Sequence, residues 1–110
     1  MIRVTFTESG NMLSLRVKGH AGYAEIGSDI VCSAASVLAY TLANSVQNAE
    51  DNGWLAMPPV IQMDSGDTVI SCESADDIAL VVMKSMYTFA TMGYALLAQN
   101  YPQYVRLIES

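Results

Sequence analysis

The chain opens in strict alternation. In MIRVTFTE, Ile2, Val4 and Phe6 fall on one side of an extended backbone with polar residues between them. That is the period-two pattern of a strand with one buried face. MLSLRVKGH alternates again through Leu13, Leu15 and Val17, and Gly10-Asn11 is the tight centre of the turn between. The two runs predict a hairpin that ends near His20. After a short polar loop, residues 21–27, Ser28 or Asp29 offers a helix N-cap. The spacing of Val31, Ala34, Ala35, Leu38, Leu42 and Val46 predicts a helix over residues 30–49, ended by Asp51-Asn52-Gly53. Residues 54–65, with Trp54 and Pro58-Pro59, read as irregular. GDTVISCES reads as a third strand and residues 75–100 as a second helix, with Asp76 and Asp77 at the positive end of its dipole. Tyr101-Pro102 breaks that helix, and YVRLIES is the last strand.

The order ββαβαβ predicts an α+β, two-layer domain over residues 1–110, a four-stranded sheet with two helices on one face. A length of 110 residues supports one modest core. With 52% hydrophobic and 15% charged residues the chain is far from a disordered composition. The net charge is -6, and the five Lys and Arg residues are scattered along the sequence. That argues against direct nucleic-acid binding, which needs clustered cations, and an acidic surface suits a basic partner. The helices are unusually apolar and the chain holds seven methionines, so a homodimer is expected. The N-terminus does not resemble a signal peptide, and no uninterrupted apolar run reaches the ~18 residues of a membrane span. The expected location is the cytoplasm, away from membranes, with the two cysteines as free thiols.

The chemistry concentrates in GHAGYAEIGSDIVCSAAS, residues 19–36, which contains the only histidine and one of the two cysteines. Cys32 falls in the first turn of the first helix, where unpaired backbone N–H groups favour an anion. His20, at the end of the preceding strand, is within reach as a proton acceptor, since strand end and helix start meet when the helix packs on its own sheet. Gly19, Gly22 and Gly27 let the connecting loop fold tightly or act as a lid. Ser36 lies one turn past Cys32 on the same helix face. The amides of Cys32 and its helical neighbours are candidates for an oxyanion hole. Plainer readings stand beside these: Cys32 as a small core residue, His20 as a hydrogen-bonded or exposed residue without a catalytic role, Asp29 as a helix cap rather than an orienter of the site. Cys72 sits in an apolar strand and reads as structural. A zinc site would need Cys72 to join His20 and Cys32, and no metal or cofactor is expected. The glycines do not match a phosphate-cradling loop. Trp54 with Pro58-Pro59 reads as a loop plug or a partner contact.

The same block resembles the signature of the bacterial ribosomal-processing cysteine protease family, Prp. The match runs through Gly19, His20, Ala21, Gly22, Asp29, Ile30, Val31, Cys32 and Ser36. MGYALLAQNYPQYVRL is similar to the family's helix end, Tyr-Pro and last strand. Ser33 departs from the alanine more usual after the cysteine. The resemblance implies a homodimeric cysteine endopeptidase that removes a short, hydrophobic N-terminal extension from a large-subunit ribosomal protein. It implies Cys32 as nucleophile, His20 as general base and acid, and Gly19, Asp29 and Ser36 as supporting residues. The composition leaves a second reading open, a non-catalytic ribosome-assembly or protein-binding dimer.

Overall fold

A computed structural model describes residues 1–25 and 27–109, apart from the side chain of Glu109. The elements are β1 (Ile2–Ser9), β2 (Met12–Lys18), α1 (Ile30–Asp51), β3 (Val60–Asp64), β4 (Asp67–Glu73), α2 (Asp77–Asn100) and β5 (Val105–Glu109). The sheet has five strands in the order β3-β4-β2-β1-β5. Neighbours are antiparallel except β1 and β5, which run parallel. The expected strand count of four is thus corrected to five. The added strand, β3, lies inside the segment read as irregular. It is a short edge strand directly after Pro58-Pro59, and those prolines mask its alternation. Ile61 and Met63 turn inward, while Val60, Gln62 and Asp64 face solvent.

The two helices pack on one sheet face. That face presents Ile2, Val4, Leu13, Leu15, Ile70, Cys72 and Val105, all buried. Helix α1 answers with a small-residue stripe, Val31, Ala35, Ala39, Leu42, Val46 and Ala49. Helix α2 inserts Ala79, Met83, Tyr87, Ala90 and Tyr94. Small residues bring the helices close: a Cβ on Gly93 of α2 would lie 2.5 Å from Leu38 Cδ2 of α1. The large tyrosines are admitted because each hydroxyl finds a carbonyl. Tyr87 donates to Ile70 O at 2.9 Å and Tyr94 to Ala35 O at 2.8 Å. Burial pushes both phenols well above their ordinary pKa, so they act as neutral donors.

Other expectations are sharpened. Asp76 caps α2 through Ala79 N–H at 2.8 Å, and Asp77 lies in its first turn. After α1, Leu55 rather than Trp54 is the plug: Leu55 is buried and bridges Ser74, whereas Trp54 stays partly exposed. Four of the five cations, scattered in sequence, are gathered by the fold, while Lys84 lies on α2 and pairs with Glu8. Lys18, Arg3 and Arg106 occupy one cross-strand row on the open sheet face, and Arg16 lies on the same face, paired with Asp67 at 3.0 Å. Both helices are also long and apolar enough to cross a bilayer, each with mean hydropathy 1.3 over 18 residues. Counting uninterrupted apolar runs missed this, because the hydropathy arises from absent charge rather than from a continuous apolar stretch. Here one stripe of each helix covers the sheet.

The Tyr94 bond joins the two helices near the N-terminal end of α1. Tyr94→Phe keeps the ring and removes that bond, and should lower unfolding free energy by about 1 kcal/mol. Tyr94→Ala should lower it by about 3–5 kcal/mol through the added cavity. Urea unfolding midpoints measure both, and equal midpoints for wild type and Tyr94→Phe would show that the bond contributes nothing.

Candidate active site

The site begins where β2 runs out. Gly19 has φ +97°, and a Cβ there would collide with the Met1 carbonyl oxygen. Only glycine lets the chain pass β1 at this angle. The Gly19 N–H then donates to Gly66 O at 2.9 Å, tying the strand end to the β3–β4 turn. His20 follows, exposed, with its ring against that turn. Ala21 is buried, and its N–H points at Cys32 Sγ, 3.3 Å away.

Asp29 joins the loop to the helix. It is only 3% exposed, yet its carboxylate accepts four backbone N–H groups. Oδ1 takes Val31 N–H at 3.0 Å and Cys32 N–H at 2.9 Å, capping α1. Oδ2 takes Tyr23 N–H at 3.0 Å and Ala24 N–H at 3.2 Å, holding the loop. Burial alone would raise its pKa, but the four donors outweigh burial and hold the carboxyl below the ordinary carboxylate value. One oxygen therefore caps the helix, and the other ties the loop to the helix start. Tyr23 is braced further by edge-on contacts with Tyr101 and Tyr104, ring centroids 5.8 and 5.3 Å away.

One expectation is overturned. The amides of Val31 and Cys32 are occupied by Asp29 Oδ1, and Ser33 N–H donates to the Asp29 carbonyl at 3.0 Å. The first helical turn therefore does not present the Cys32 amide and its neighbours as a free oxyanion hole. The amide at the sulfur is that of Ala21, from the loop.

These elements enclose a cleft of about 750 Å³. One wall is α1, with Cys32, Ser36, Val37 and Tyr40. A second is the loop, with Gly22, Ala24, Glu25 and Gly27. The third is the end of β3 and its turn, from Met63 to Thr68. His20, half-buried Cys32, Asp29 and Ser36 all line this cleft, as do Gly19, Gly22 and Gly27. No hydrogen bond joins His20 to Cys32 among the described residues. The lid expected over residues 21–27 includes Ile26, which lies outside the described residues. Cys72 does not join the group. It is buried in the core, and burial pushes its thiol pKa upward. No Lys or Arg is among the described lining residues.

Reading the residues alone missed the third wall. Gly66, Asp64 and Met63 lie in or beside the segment taken as irregular, where the dipeptide Ser65-Gly66 was the available turn signal. Tyr40 continues the series 32, 36, 40 at one-turn spacing, and that periodicity could have found it.

Comparison with known proteins follows the same outline. A family model described as cysteine protease Prp matches residues 1–106. The essential ribosomal processing protease Prp of S. aureus, solved with a covalently linked product peptide, superposes with a TM-score of 0.78 at 22% identity, covering 100% of both chains. The same protease with a substrate peptide gives a TM-score of 0.70 at 20% identity, again over 100% of both chains. SMU.848 from Streptococcus mutans gives 0.67 at 26% identity, covering 99% of this chain and 93% of the other. No curated protein sequence gives a significant match. The fold is that of these structures, and with the family model matching residues 1–106, the chain belongs to the cysteine protease Prp family and is a cysteine protease.

Proposed function

We propose that this protease removes a short hydrophobic N-terminal extension from a large-subunit ribosomal protein in the cytoplasm, with Cys32 as nucleophile and His20 as general base and acid. The observation that carries the reading is the placement of the Cys32 sulfur at the head of α1, 3.3 Å from a loop amide, in one cleft with the only histidine. His20 takes the thiol proton, and the thiolate attacks the scissile carbonyl carbon. As the tetrahedral intermediate collapses, the C–N bond breaks and imidazolium gives its proton to the leaving amine. His20 then takes a proton from water, whose oxygen attacks the thioester, and the acid product leaves as the thiol is regenerated. Ala21 N–H steadies the sulfur. Asp29 supports the site by fixing loop and helix together, and Ser36 lines the cleft one turn beyond the nucleophile.

Peptide binding follows from the walls. Val17, Val37, Tyr40 and Met63 provide apolar surface for the extension. The loop closes over the peptide as a lid, and the -6 charge steers a basic ribosomal substrate toward the cleft. Pairing of two copies through α2 accounts for its second apolar stripe. Ile78, Val81, Phe89, Met92 and Leu96 are exposed on the helix side away from the sheet, Phe89 at 76%. A helix that is apolar on both sides needs a second surface to cover it.

The first test is cleavage. Wild type should release the extension from the extended precursor, while Cys32→Ala and His20→Ala bind it without product. Equal cleavage by wild type and Cys32→Ala would remove the nucleophile assignment, and binding without cleavage by the wild type would favour a non-catalytic module.

Asp29→Asn separates the two tasks of that residue. Asparagine still caps a helix, but one carboxylate oxygen is replaced by a donor, so one pair of N–H groups loses its acceptor. Cleavage should fall at least tenfold, at the scale of a disturbed positioning group, with far-UV helicity retained. Because the folded Asp29 pKa is depressed, its stability contribution is complete above the ordinary value of 3.8 and is lost as pH falls through the folded value. The stability gap between wild type and Asp29→Asn should therefore be flat above about pH 5 and close in stronger acid. A gap unchanged to pH 2 would contradict the hydrogen-bonded carboxylate.

For assembly, sedimentation should return twice the 11.9 kDa chain mass. Phe89→Glu should shift the protein to monomer, and a monomeric wild type at micromolar concentration rules the pairing out.

A further inference from the structure

Gly66 is the second residue of the two-residue turn between β3 and β4, and its φ is +74°. A Cβ built on it would lie 2.8 Å from His20 Nε2, 3.3 Å from Cε1 and 3.4 Å from Cδ2. The end of the imidazole thus occupies the space that any side chain at residue 66 would take. The carbonyl of the same residue accepts the Gly19 N–H at 2.9 Å, and Gly19 is the residue before His20. Ring, turn and strand end therefore form a closed frame. The histidine's backbone is fixed to Gly66 through Gly19, and its ring rests on the bare Gly66 Cα.

We propose that Gly66 is the positioning residue for His20, the seat that sets where the imidazole stands in the cleft relative to Cys32. The inference deepens the dyad reading given above and rests on it. Two constraints act on a side chain at residue 66, and they are separable. The positive φ disfavours alanine on backbone grounds alone, whereas asparagine tolerates that conformation. Either side chain meets the His20 ring, which must move aside to admit it. Other ionisable groups lining the cleft with the ring are Cys32, Glu25, Asp29, Tyr40, Asp64 and Asp67, and Asp67 is already paired with Arg16.

The experiment compares wild type, Gly66→Asn and Gly66→Ala. Because the chain has one histidine, its imidazole carbon and proton NMR signals need no separation from others. Three quantities are read: the unfolding midpoint, the His20 ring signals with their pH titration, and kcat and KM on the extended precursor. Gly66→Asn should unfold near the wild-type midpoint and display displaced ring signals. Its kcat should fall on the order of 10²-fold, the scale of a misplaced catalytic group, with KM changed less than about twofold. The histidine limb of its kcat–pH profile should move with the NMR titration. If Gly66→Ala fails to fold, the asparagine variant still decides the matter. Wild-type kcat in Gly66→Asn overturns the proposal, and so does a loss of kcat with unmoved ring signals. A wild type that does not cleave the precursor overturns the proposed function instead, and the ring signals then decide whether the seat exists.

Discussion

One buried carboxylate organises the cleft. Asp29 has lost almost all contact with water and is kept charged by four amide donors, two from the helix it begins and two from the loop before it. A buried anion with that many donors leaves little geometric freedom. The loop is set against the first turn of α1, and Ala21 N–H arrives at the Cys32 sulfur as a result. The same bonds use up the amides that a helix start would otherwise offer to a ligand. The helix end therefore serves internal architecture, and the loop supplies the amide that faces the sulfur.

The scaffold behind the cleft depends on small residues and two tyrosines. Alanines on α1 and Gly93 on α2 let the helices approach, and Tyr87 and Tyr94 fill the remaining volume while donating to carbonyls of β4 and α1. Tyr94 bonds the carbonyl of Ala35, one residue before Ser36 in the cleft wall, so the packing of α2 is felt at the site. Helix α2 also carries an outward stripe, which places its apolar character in two roles that composition alone could not separate.

Much of this was legible in the residues. Alternation located β1 and β2, helical spacing located α1 to within two residues of its end, and the block from Gly19 to Ser36 named His20, Cys32, Asp29, Ser36 and three glycines that line the cleft. The illegible parts have physical causes. Strand β3 is five residues long and follows two prolines, so local punctuation hid a pairing that only β4 reveals. The third wall of the cleft hung on that strand and was missed with it. The Asp29 loop contacts were out of reach because backbone donors carry no side-chain signature. The cationic row is likewise a product of cross-strand register, invisible in a linear chain.

Strand order has a consequence for how the molecule is made. Of the five strands β1 emerges before the others, and it has β2 along one edge and β5, which emerges after the others, along its second edge. Tyr23 leans on Tyr101 and Tyr104, which arrive just before β5. A nascent chain can pair its N-terminal hairpin early, since that contact is local. Its loop cannot gain the aromatic brace until Tyr101 and Tyr104 have left the ribosome. The cleft therefore gains its full support only once Tyr101 and Tyr104 have emerged, and a chain still threaded at that point lacks one of its walls' supports.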